Sequence, residues 1–190
     1  KIGRLAPKQT SFLLCDVQTI FVPRIQYIDS IIHCSNMLTK TTEILDIPLH
    51  VTCQYPEKLG YITEDIYIPE GVKQHSKTKF SMCIDEVMEP LEESKRKSVV
   101  LWGIEAHVCV QQTCLDLLEK GYEVTIVVDA TSSQKSYDRS TAIKRMQQAG
   151  ANITTTESVI MELVHDAKFS RFKEISALLK ENRPDPGITF

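Results

Sequence analysis

The sequence predicts an α/β fold of three layers, Rossmann-like, with a mostly parallel sheet covered by helices on both faces. Short apolar runs such as 11–17 and 123–129 are continuous rather than alternating, as expected of strands buried on both faces. The segments between them carry apolar residues at helical spacing. Strand and helix then alternate along the chain, which calls for right-handed crossovers and a parallel sheet.

The elements follow in order. Ser11-Phe12-Leu13-Leu14-Cys15-Asp16-Val17 is a strand running up to an acid. Ile31, Cys34, Leu38, Thr41 and Leu45 form one helical stripe that Pro48 ends. A second strand covers 48–53. Residues 54–80 contain Pro56, Gly60, Pro69 and Gly71 and are expected to be a long irregular excursion, of the kind that usually serves function. A helix over 84–94 and a central strand over 98–102 come next. The helix at 107–119 places Val110, Cys114, Leu117 and Leu118 on one face and stops at Gly121. The strand at 123–129 is the strongest in the sequence. A helix at 137–149, a short strand at 152–155 and helices near 157–164 and 169–180 complete the pattern. One domain is expected over 1–190, with 181–190 a tail or frayed arm.

Composition narrows the function classes. The 190 residues are 42% hydrophobic and 25% charged, with a formal net charge of −3. That balance gives no footprint for a phosphate backbone, so no nucleic-acid partner is expected. No apolar run approaches the roughly 20 residues of a membrane span, so no membrane partner is expected either. The first residues show no secretory signal. A cytoplasmic location is expected, with a mitochondrial one the alternative should a targeting segment precede Lys1. The six cysteines (Cys15, Cys34, Cys53, Cys83, Cys109, Cys114) are dispersed, and several sit in apolar runs as small buried hydrophobes. Neither a disulfide scaffold nor a zinc site fits their spacing with the five histidines, and no metal or other cofactor is expected. His107 and Cys109, two apart on a helix, point to different faces.

In open α/β sheets the ligand lies beyond the carboxyl ends of the strands. Asp16 closes the first strand, Lys77 lies on the excursion leaving the second, and Gly103-Ile104-Glu105-Ala106-His107-Val108-Cys109 joins the central strand to a helix. No Ser, Thr, Asp or Asn caps that helix, so its first amides lack a side-chain acceptor. Amide donors at a helix start favour a thiolate and can hold an oxyanion, which brings activation and transition-state stabilisation within one turn of Cys109. From these residues alone, a buried core cysteine remains the competing reading.

Residues 103–113, Gly-Ile-Glu-Ala-His-Val-Cys-Val-Gln-Gln-Thr, resemble the nucleophile motif of the isochorismatase-like cysteine hydrolases. Leu14-Cys15-Asp16-Val17-Gln18 is similar to that superfamily's first-strand motif, Lys77-Thr78-Lys79-Phe80-Ser81-Met82 to its lysine motif, and Val128-Asp129-Ala130 to a later landmark. The resemblance spans about 10–165 and looks closest to the eukaryotic isochorismatase domain-containing subgroup. It implies an Asp16–Lys77–Cys109 triad acting on a small amide or related carbonyl substrate through a covalent thioester. Asp16 would be the base, Lys77 its partner, and Cys109 the nucleophile. The amides of Ala106 and Cys109 would form the oxyanion hole, with a cis peptide expected at Glu105–Ala106. Gln18, Tyr55 and Phe80 are expected in the substrate pocket, and a homo-oligomer is expected by analogy.

The departures also inform. Nicotinamidases of the superfamily bind a metal through an Asp-x-His in the excursion, and 52–60 contains no such pair. A vinyl-ether isochorismatase needs no cysteine, so neither reaction is expected. Two other classes stay open: a binding or scaffold protein that keeps the fold, and an RNA-binding protein or nuclease. Lys79 competes with Lys77, and a Cys–His dyad through His75 is a mechanistic variant.

Overall fold

The computed structural model describes residues 2–188. Its six strands are β1 (Thr10–Cys15), β2 (Leu49–Gln54), β3 (Gln74–Lys77), β4 (Ser98–Ile104), β5 (Glu123–Ser132) and β6 (Asn152–Thr154). They form one sheet in the order β3-β2-β1-β4-β5-β6, every neighbouring pair parallel. The helices are α1 (Ile28–Leu45), α2 (Pro56–Leu59), α3 (Asp85–Glu93), α4 (Gln111–Glu119), α5 (Ser136–Gln148), α6 (Thr156–Val164) and α7 (Phe172–Leu179).

The strands alternate their side chains between two apolar layers, as the period of two demands. Phe12, Leu14, Val100 and Trp102 face the layer shared with α1, α6 and α7. Leu13, Cys15, Val99 and Leu101 face the layer shared with α3, α4 and α5. Phe12 and Trp102 meet edge to face at 5.7 Å, and the Trp102 indole N–H donates to Ser35 Oγ on α1 at 3.0 Å, so the one polar atom of that ring is satisfied in the core. Helices on both faces of a parallel sheet give the expected three layers.

Four expectations change. The excursion at 54–80 is not wholly irregular, because 74–77 pairs with β2 as an edge strand. Its residues, Gln-His-Ser-Lys, carry no apolar signal, and the strand exists through backbone pairing that periodicity cannot reveal. The last β4–α4 connection is a single π-type turn over Ala106–Val110, not a regular helix start. No described peptide bond is cis, and Glu105 instead turns the chain through a left-handed conformation at φ 52°. The tail is also held further than expected. The Arg139 guanidinium donates to the Pro186 carbonyl at 2.6 Å, while Thr189 and Phe190 lie outside the described residues.

Strand order reverses between β1 and β4: from β1 the chain moves outward to β2, and from β4 outward to β5. That switch opens a crevice at the carboxyl ends of these strands. Gly103 lets β4 approach β1 there. Its φ is +144°, and a Cβ on it would lie 2.1 Å from the Cys15 carbonyl oxygen, so only glycine fits.

Candidate active site

Asp16 ends β1 in a left-handed conformation at φ 53° and is 2% exposed. Its Oδ1 accepts from Thr52 Oγ1 at 2.8 Å; its Oδ2 accepts from Lys77 Nζ at 2.7 Å and from the Cys15 thiol at 3.6 Å. Thr52 is delivered by strand register, since it stands opposite Cys15 in the β1–β2 ladder. Asp16 is therefore a buried, fully partnered carboxylate at the crevice floor.

Lys77 ends β3 and is 3% exposed. Besides Asp16, its ammonium donates to Gln54 Oε1 at 2.7 Å and to the carbonyls of Phe80 at 2.8 Å and Lys79 at 3.2 Å. Burial works to lower its pKa. The charge on Cys15, Asp16 and Cys109, with the Asp16 hydrogen bond, outweighs it and holds Lys77 above the ordinary lysine value. Lys79 instead faces outward, 3.4 Å from Asp116, and Lys77 alone of the two reaches the carboxylate.

Cys109 sits in the π-turn, 6% exposed, and lines the crevice pocket together with Asp16. π-turns recur at functional sites because they displace a side chain from helical register. Thr113 locks this one, donating to the Cys109 carbonyl at 2.6 Å and accepting from the Met82 amide at 2.8 Å. The other five thiols are all pushed up. Burial leads in every case: Cys34 and Cys53 rise to about 11 and Cys114 to about 12. Cys83 rises too, and Cys15 is held well up by burial, its hydrogen bond with Cys109 and the Asp16 charge.

The pocket has a volume of about 540 Å³. Phe80, half-exposed, lines it, and so do Phe21 and Val108. Gln18 does not. It is fully buried behind the wall, where its amide accepts from the Gln54 amide at 2.7 Å and donates to the carbonyls of Gln54 and Gly60 at 2.9 and 2.6 Å. Gln18 thus braces the excursion against β2. Tyr55 also lies outside the lining, exposed at the start of α2 with the Lys58 ammonium 5.0 Å from its ring centre. Ala106 is fully buried beside the pocket rather than lining it. Sequence reasoning missed Thr52 and Gln54, which hold Asp16 and Lys77, because only strand pairing brings them there. It also missed Glu105, Gln134 and Asp138 in the pocket wall, and weighed His107 only as a metal ligand.

The isochorismatase domain family matches residues 10–158. The chain belongs to the isochorismatase family. It is an isochorismatase-like hydrolase by kind, with its substrate unassigned. A secreted isochorismatase effector, Isc1, of Phytophthora sojae is 44% identical over 96% of this chain and 90% of its own length. Isochorismatase domain-containing protein 1 of Danio rerio is 43% identical over 98% of this chain, which spans 66% of that longer relative. Among solved structures, one titled MAR1 ribonuclease from Caenorhabditis elegans superposes with a TM-score of 0.94 at 42% identity, covering 98% of this chain and 97% of that one.

Proposed function

We propose that the protein hydrolyses a small amide or related carbonyl compound through a Cys109 thioester, with Asp16 and Lys77 completing a triad. The observation that carries this reading is the buried Asp16–Lys77 pair at 2.7 Å, whose Asp16 lines the same pocket as Cys109. The thiol proton passes to Asp16 while Lys77 stays an ammonium, so the site keeps its net charge. The sulfur attacks the carbonyl carbon, and the oxyanion is held by amides of the π-turn, those of Ala106 and Cys109. As the tetrahedral intermediate collapses, the amine leaves with the proton from Asp16. Water then attacks the thioester, returns a proton to Asp16 and on to sulfur, and releases the acid.

The test is turnover of a panel of small primary amides, followed by intact mass for an acyl adduct at Cys109. Wild type should turn over at least one amide, and Cys109→Ala and Asp16→Asn should each lose at least ~10²-fold in kcat/KM. Turnover that survives Cys109→Ala would overturn the covalent mechanism.

A second reading is favoured by one observation, the ribonuclease title carried by the Caenorhabditis elegans relative. The net charge of −3 and the carboxylates in the pocket wall oppose a polyanion, so salt-dependent cleavage of a labelled RNA by wild type but not by Cys109→Ala would be needed to revive it. A catalytically weak scaffold is the reading left if neither amide nor RNA is consumed. Self-association, implied by analogy, belongs to the same proposal, as does a cytoplasmic location; sedimentation of the purified protein tests the first. No helix among the described residues is long and apolar enough to cross a membrane.

A further inference from the structure

The wall of the pocket carries a polar group that the triad does not use. His107, two residues before Cys109, has Nδ1 at 3.0 Å from Ser133 Oγ and 3.5 Å from Glu105 Oε2. Glu105 is itself fixed: its Oε1 accepts from Gln134 Nε2 at 2.6 Å, and its Oε2 is buried with no hydrogen-bond partner. We assign the proton of the neutral ring to Nδ1, beside the Glu105 carboxylate that has no other donor at Oε2, and this tautomer leaves Nε2 as an acceptor. Nε2 faces Asp138 Oδ2 at 3.9 Å, too far for a direct hydrogen bond. Glu105, His107, Gln134 and Asp138 all line the Cys109 pocket, and His107 and Asp138 each keep about a third of their side chains exposed.

Two acceptors held 3.9 Å apart in a partly open pocket are a receptor for a group with several N–H donors. We infer that the His107 Nε2–Asp138 Oδ2 slot binds an amino or guanidino group at the non-reacting end of the substrate, with Glu105 as the residue that positions His107. The inference rests on the proposed role of Cys109 and narrows the substrate class to amides bearing a cationic or donor-rich end. Other charged groups lining this pocket are Lys135, an exposed residue, and Asp16, which Lys77 neutralises. The net wall charge therefore favours a cation.

Matched methanethiosulfonates report on the slot without knowledge of the substrate. The full chain is treated with cationic aminoethyl, neutral ethyl or anionic sulfonatoethyl methanethiosulfonate, and the rate at Cys109 is read by peptide mass. The cationic reagent should outpace the neutral one by ~10-fold and the anionic one by more. The cationic-to-neutral ratio should fall towards one in Asp138→Asn, His107→Leu and Glu105→Gln, recover in part in His107→Gln, and stay high in Glu174→Gln on the exposed face of α7. A ratio that stays high in both Asp138→Asn and His107→Leu overturns the slot, since the preference would then be a long-range field. A ratio near one in wild type, with the neutral reagent fast at Cys109, overturns the slot and spares the nucleophile. A neutral reagent no faster at Cys109 than at the other thiols overturns both.

Discussion

Lys77 shows at residue scale why the site is organised as it is. Its ammonium is out of water and has four oxygen acceptors within 3.2 Å, one of them the Asp16 carboxylate. A buried charge is tolerable only when paired and hydrogen-bonded, so each partner keeps the other stable. Lys77→Met should cost about 3–5 kcal/mol in urea unfolding because Asp16 is left buried without its counter-charge. The double variant with Asp16→Asn should recover much of that loss, and an additive double variant would show that the pair is not coupled. Gly103 acts by an absence: lacking a Cβ, it lets β4, which leads into the Cys109 turn, approach β1, which leads to Asp16.

At the scale of elements, the β4–α4 connection does the positioning. Glu105 reverses the chain through a left-handed conformation, and the π-turn then buries Ala106 and Val110 while His107, Val108 and the largely buried Cys109 line the pocket. One hydroxyl, Thr113 Oγ1, ties this turn to the Met82 segment. Thr113→Val keeps the volume but leaves the buried Met82 amide without its acceptor. It should cost about 1–3 kcal/mol in urea unfolding and slow alkylation of Cys109 by iodoacetamide. An unchanged stability would mean that the amide finds another partner. Most of these elements were legible as hydrophobic periodicity: β1, β4, β5 and the stripes of α1, α4 and α5 fall where the pattern predicts. β3 was not, because an edge strand made of Gln, His, Ser and Lys forms only against β2. The π-turn was not either, since local sequence does not separate it from a helix.

For the whole molecule, acid is the informative variable. Burial, and secondarily the neighbouring His75, lower the His50 pKa from 6.5 to about 4. Below pH 6.5 the unfolded chain binds a proton that the folded chain refuses until about pH 4, so stability falls across that window as pH drops. At 1.36 kcal/mol per unit the loss is roughly 3 kcal/mol from this one residue. His50→Gln should flatten the dependence of urea midpoints on pH between 7 and 4; an unchanged slope would show that other groups dominate. The tail joins the same whole. Arg139, buried with its guanidinium on the carbonyls of Thr131, Val128 and Pro186, ties residue 186 to the end of β5 near the pocket wall.

Most of the strands and helices, and the candidacy of Asp16, Lys77 and Cys109, were determined by sequence, because apolar period and motif spacing are local properties of the chain. Which residues support them was decided only by tertiary structure. Thr52 meets Asp16 through β1–β2 register, Gln54 meets Lys77 through the β2–β3 edge, and Gln18 turns from an expected pocket residue into a buried brace. The Glu105–His107–Asp138 wall depends likewise on α5 packing beside the π-turn. Such partnerships join residues far apart in sequence, and their hydrogen bonds exist only once the sheet has set which strand lies beside which.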